Sequence, residues 1–103
     1  MGSPNAYVLL HRDSRVIVRP GVVLLAGSTP DSDILLPEAP PELGPPRMAR
    51  FIQENAELWL ESLSAPPAAP VYVNGEPIER VRLEPGDRVL LGLTIVKVLQ
   101  ADA

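Results

Sequence analysis

Apolar positions along the chain come in short runs separated by turn-forming residues, and the spacing predicts strands. Tyr7 to Leu10 is apolar and Arg15-Val-Ile-Val-Arg19 is rich in β-branched residues, with His11-Arg-Asp-Ser14 supplying a turn between them. In that second run Val16 and Val18 share one face while Arg15, Ile17 and Arg19 share the other, which places the arginines toward water. Pro20-Gly21 breaks the pattern before a third run, Val22 to Ala26, and Asp33 to Leu36 forms a fourth. Near the C-terminus Val71-Tyr-Val73 leads into Asn74-Gly75, whose preference for positive φ suits a two-residue hairpin turn. Glu84-Pro-Gly-Asp87 makes another turn, and Arg88 to Leu91 and Thr94 to Leu99 read as a final pair of strands split by Gly92.

The segment Pro46 to Leu63 supports two readings. Met48, Phe51, Ile52, Trp59, Leu60 and Leu63 fall at helical spacing, Pro46 can occupy a first turn, and most residue types there favour helix. Alternatively, Met48 to Gln53 and Glu57 to Glu61 are two strands joined by a Glu54-Asn-Ala56 turn, with Leu58 and Leu60 facing inward. The short, closely spaced strands elsewhere favour the second reading.

Composition narrows the function classes. With 103 residues the chain fits one domain, assigned to residues 7–103, with 1–6 expected to be a disordered end or a cloning remnant. Cysteine is absent and His11 is the single histidine, which removes disulfides, thiolate metal sites and imidazole clusters. Neither a nucleophile–base pair nor a phosphate-cradling glycine loop is visible, so an enzyme, a cofactor and a metal are not expected, and no catalytic residue is assigned. The formal net charge of −4 repels polyanions, which makes nucleic acid a poor partner. No apolar run approaches the ~20 residues of a membrane span, so no membrane contact is expected within these residues. The 13 prolines gather mainly at positions 37–46 and 66–70, which predicts stiff extended loops.

Taken in order, Gly27-Ser-Thr-Pro-Asp-Ser-Asp-Ile-Leu-Leu36, Glu57-Leu-Trp-Leu-Glu-Ser62, Val71-Tyr-Val-Asn-Gly75 and Leu83-Glu-Pro-Gly-Asp-Arg-Val-Leu-Leu-Gly92 resemble the forkhead-associated (FHA) domain from Tyr7 to Leu99. The resemblance implies an all-β fold, an FHA-like β-sandwich of about eleven short strands, with loops at one end that in the family bind phosphothreonine peptides. It also implies where the phosphate-binding residues ought to stand. In the family an Arg follows the first loop glycine, but here Ser28 follows Gly27. A Ser-Arg-x-x-His pattern is expected beyond the fourth strand, but Pro45-Pro-Arg-Met-Ala-Arg50 keeps only arginines. The peptide-orienting Asn-Gly is replaced by Ser64-Ala-Pro-Pro-Ala-Ala-Pro70. A dianion stripped of water needs cations and donors, so the scaffold resembles the family while the pocket does not.

Gly-Ser in place of Gly-Arg, the loop Ser28-Thr-Pro-Asp-Ser32 and the missing recognition residues are similar to one subgroup, the cytoplasmic domain of the inner-membrane ring protein of bacterial type III secretion systems. That resemblance implies a cytoplasmic scaffold, partners among neighbouring ring subunits or cytoplasmic secretion components, and a transmembrane helix downstream of the domain. Arg47, Arg50, Trp59 and Ser28 are the candidate partner-binding residues; solvated loop arginines, an aromatic cover on the core edge and turn chemistry are their plain structural roles. Two rival functions stand beside this one. The first is a phosphopeptide-binding FHA domain in which Arg47 and Arg50 replace the missing cation. The second is an S4-like RNA-binding domain, which Val71 to Ile78 and Pro85-Gly-Asp87 also resemble and which requires residues 46–63 to be helical.

Overall fold

The computed structural model describes residues 6–37, 40, 42, 45–66 and 68–101. They form eleven strands: β1 (Tyr7–His11), β2 (Ser14–Val18), β3 (Val23–Gly27), β4 (Ile34–Leu35), β5 (Arg47–Glu54), β6 (Glu57–Ser62), β7 (Val71–Val73), β8 (Glu76–Ile78), β9 (Arg80–Leu83), β10 (Arg88–Leu91) and β11 (Thr94–Gln100). A six-stranded sheet in the order β2-β1-β11-β10-β7-β8 faces a five-stranded sheet in the order β4-β3-β5-β6-β9. All pairings are antiparallel except β3 with β4. The all-β sandwich read from the sequence is the observed architecture.

Residues 46–63 contain a hairpin and no helix, which removes the S4-like alternative, since that fold needs helices ahead of the Asn74-Gly75 turn. Two local features explain the helical spacing. The register of β5 on β3 shifts between Ala26, opposite Ala49, and Gly27, opposite Arg47, so Met48 is an extra, bulged residue and Met48 and Ala49 are both buried. The buried positions thus include 48 as well as 49, 51 and 53, and the large apolar side chains at 48 and 51 fall three residues apart, as on a helix. The second feature is the turn at Asn55 and Ala56, both with positive φ, which reverses the chain and pairs Glu54 with Glu57.

Between the sheets lies one apolar cluster that includes Leu9, Val18, Ile34, Phe51, Leu58, Leu60, Val71, Leu83, Val89, Val96 and Val98. Phe51 is the largest fully buried side chain, and burying such a ring contributes about 2–3 kcal/mol. Leu58 and Leu60 point inward as the two-strand reading requires, and Val18 is buried while Arg15, Ile17 and Arg19 are exposed. Arg80–Leu83, to which the sequence pattern assigned no strand, closes the five-stranded sheet beside β6.

The two turn motifs of the C-terminal half are fastened to each other. Asn74 adopts the positive φ expected of it, and its side chain also donates to Asp87 Oδ1 at 3.0 Å and accepts from the Arg88 amide at 3.0 Å. Asp87 Oδ2 in turn accepts from the Glu84 amide at 2.8 Å. At the chain's start, Ala6, which the sequence places in a disordered end, is buried, and its carbonyl accepts from the Ala101 amide at 3.0 Å. The pairing of β1 with β11 carries it into the sheet. The rest of that proposed end, and Pro41 and Pro67 of the proline clusters, lie outside the described residues.

Candidate functional site

Three connections meet where β3 ends and β5 begins. In the β3–β4 loop the chain folds on itself: Asp33 Oδ2 accepts from the Leu25 amide at 2.9 Å, and the Asp33 amide donates to the Leu25 carbonyl at 2.8 Å. Ser32 N–H donates to the Thr29 carbonyl at 3.0 Å, and the Thr29 and Ser32 hydroxyls share a hydrogen bond of 3.0 Å. These hydroxyls serve the turn, as Asp, Ser and Thr commonly do. The half-buried Ser28 donates its amide to the Pro46 carbonyl at 2.8 Å, which seats the loop on the start of β5. Beyond β6, Leu63 N–H donates to the Met48 carbonyl at 2.8 Å, the Ser64 hydroxyl donates to the Ala69 carbonyl at 2.6 Å, and the Ala69 amide donates to the Glu42 carbonyl at 2.9 Å.

The arginines at this end are paired. Arg47 Nη2 donates to Asp31 Oδ2 at 2.9 Å, with both side chains exposed. A hydrogen bond from the Thr29 side chain, and with it the nearby Arg47 charge, holds the Asp31 carboxyl below its ordinary range. Arg50 donates to the Glu61 carboxylate directly across the β5–β6 pair.

The four candidates do not form one site. Ser28 and Arg47 stand together at the loops, since Ser28 follows Gly27 and Arg47 is the register partner of Gly27. Arg50 and Trp59 instead lie along the outer face of the five-stranded sheet, opposite Glu61 and Ile52. Trp59 is half-buried there, with the Arg80 guanidinium 4.7 Å above the centre of its ring, a cation–π contact. Arg82 beside it bridges Glu57 at 3.1 Å and Glu84 at 3.4 Å. Asp31 and Glu61, the carboxylates that hold the two candidate arginines, were missed from the sequence. For Glu61 a signal existed: once Glu54 faces Glu57, residue 50 must face residue 61. Among the described residues no group of three His, Asp or Glu side chains is placed to hold a metal.

No protein-family model and no curated protein matches the chain by sequence. Solved structures match it by shape. The FHA domain of the CT664 protein from Chlamydia trachomatis superposes with a TM-score of 0.80 at 22% identity, covering 93% of this chain and 98% of its own. The FHA domain of a hypothetical protein from Arabidopsis thaliana gives 0.80 at 13% identity, covering 100% of this chain and 93% of that one. EmbR of Mycobacterium tuberculosis, in complex with a low-affinity phosphopeptide, gives 0.79 at 17% identity over 95% of this chain and 25% of EmbR. The eleven-stranded, two-sheet sandwich described above is therefore the fold of the forkhead-associated domain.

Proposed function

We propose that the chain is a protein–protein interaction module that keeps the FHA framework and has given up phosphothreonine recognition. The observation that carries this reading is that Arg47, the candidate arginine at the loops, is paired with Asp31, while Arg50 lies away from the loops on the sheet face, paired with Glu61. A dianion at this loop would compete with the Asp31 carboxylate for Arg47, and no Arg stands at position 28 to supply a second cation. EmbR, a structural neighbour seen with a phosphopeptide, supports protein partners as the general class. The test is a calorimetric titration of the domain with a phosphothreonine peptide library and its unphosphorylated twin. No phosphate-dependent heat is expected, and micromolar binding that dephosphorylation and Arg47→Ala both abolish would overturn the reading in favour of a phosphopeptide reader.

Within this class, the Gly27-Ser28 pair and the loop through Ser32 support a cytoplasmic domain of a type III secretion inner-membrane ring component. No described helix is long and apolar enough to cross a membrane, and the reading requires the span to be encoded beyond Ala103. In a ring, weak contacts between neighbouring copies add through effective concentration, so each interface can be small. Sequencing the gene past Ala103 checks the assignment: a single apolar stretch of about 20 residues is expected, and a continuation into a soluble catalytic domain would overturn it.

A further inference from the structure

The cations are sorted between the two sheets. Of the nine Lys and Arg residues, the four on the five-stranded sheet, Arg47, Arg50, Arg80 and Arg82, each contact a carboxylate. The other five, Arg12, Arg15, Arg19, Arg88 and Lys97, belong to the six-stranded sheet or its margins, and among the described residues none of them makes an ion pair. Three stand in one cross-strand row on the outer face: Arg15 is opposite Leu10, Leu10 opposite Lys97, and Lys97 opposite Arg88. With strands ~4.8 Å apart, the row spans ~14 Å. Lys97 and Arg88 face each other directly, an arrangement that like charges disfavour.

Beside this row lies apolar surface. Leu90 pairs with Ile95 and with Tyr72, Ile95 is 59% exposed, and Leu93 at the adjoining turn is 80% exposed. A shallow concavity of about 610 Å³ follows β10 from the Asn74-Gly75 and Gly86 turns past Arg88 to Leu90 and Ile95. Folding accounts for neither the unpaired cations nor these outward aliphatic side chains, since the core lies on the opposite side of the sheet.

We propose that the outer face of the six-stranded sheet docks an acidic protein segment, whose carboxylates meet Arg15, Lys97 and Arg88 and whose aliphatic side chains rest on Leu90 and Ile95. Charge complementarity selects this occupant. A second copy presenting the same face would oppose Lys97 and Arg88 with their own images, as a two-fold interface requires. An anionic membrane plane is repelled by the net charge of −4, whereas a short segment within a Debye length of ~8 Å senses mainly the local row. Nucleic-acid phosphates would use the cations and leave Ile95 and Leu93 without a role. The docking face rests on the reading of the domain as a protein-binding module, and it does not depend on the state of the phosphate loops.

The test is a titration of the ¹⁵N-labelled domain with a synthetic peptide in which Glu and Asp alternate with Val, Leu and Ile, followed by amide shifts. Its counterpart with Lys in place of the acids, vesicles containing phosphatidylglycerol and the phosphothreonine peptides are run in parallel. Saturable shifts at Leu10, Leu90, Ile95 and Lys97 are expected, weakened about tenfold or more in the exposed-site double variant Arg88→Glu, Lys97→Glu and by added salt. A silent face, equal binding of the Lys counterpart, tighter binding of the vesicles, or a dimer that the double variant dissolves would overturn the proposal. Shifts that phosphothreonine peptides produce at residues 27–33 would instead overturn the loss of phosphate recognition and leave the docking face standing.

Discussion

Gly27 runs so close to Pro46 that a Cβ on it would stand 2.2 Å from the Pro46 carbonyl oxygen and 3.1 Å from Arg47 Cα. The backbone bond from Ser28 N–H to that same carbonyl needs this approach, so the glycine at the head of the loop is a packing requirement. Its conformation is ordinary, without positive φ, and space alone decides the residue. Gly27→Ala must push β3 from β5, and overpacking of that kind costs about 2–3 kcal/mol. Urea denaturation measures it; a loss under about 0.5 kcal/mol would show that the two segments can part freely.

The β5–β6 turn holds strain of another kind. Ala56 sits at φ 66 and follows Asn55 at φ 53, a left-handed conformation that an alanine Cβ resists. The Tyr7 hydroxyl donates to the Ala56 carbonyl at 3.1 Å, tying this turn to β1 in the other sheet. Ala56→Gly removes the steric cost and adds unfolded-state freedom, for a net gain of about 0.5–1 kcal/mol. A rise in Tm of ~4–8 °C per kcal/mol is the readout, and an unchanged or lower Tm would mean that Ala56 is not strained.

The same turn shows why one part of the fold was ambiguous from the sequence while the rest was legible. Asn74-Gly75 announces its hairpin through the glycine, and the strands on either side pair in unbroken register. Asn55-Ala56 makes a comparable reversal without a glycine, and the bulge at Met48 shifts the buried positions of β5 out of strict alternation. Each effect alone weakens a strand signal; together they mimic a helix. The site divides in the same way. Arg50 with Glu61 follows from hairpin register, whereas Arg47 with Asp31 joins the start of β5 to the β3–β4 loop, an approach that depends on Gly27 and Pro46 and that no periodicity encodes.

Gln53 is 1% exposed on the core side of β5, and neither its side-chain oxygen nor its nitrogen has a hydrogen-bond partner among the described residues. Its backbone is satisfied by Gly21 and Val22, so only the amide group is stranded. A buried amide without partners costs about 1–3 kcal/mol. Methionine keeps the length and flexibility of the side chain and removes the polar atoms, so Gln53→Met should stabilise the domain by about 1 kcal/mol. Equilibrium unfolding checks this, and a destabilised variant would reveal that the amide is bonded in solution.

His11 supplies the pH dependence near neutrality. It is 7% exposed, on the core side of β1 opposite Val96 and Ser14, and its Nδ1 has no partner among the described residues. Burial first, and then the neighbouring Arg12 charge, lowers its pKa below the ordinary 6.5. The unfolded imidazole therefore takes up a proton at a pH where the folded one remains neutral, so the unfolded state binds more protons in that window. Stability is full above the ordinary value and falls as pH drops below it, levelling off only under the folded pKa. Asp31, also lowered, loses its contribution only as pH falls below 3.8, well clear of this range. Urea midpoints measured between about pH 7.5 and 5.5 should decline for the parent and stay flat for His11→Leu, which removes the titrating group. Equal slopes in the two proteins would assign the decline to another group and place the imidazole in contact with water.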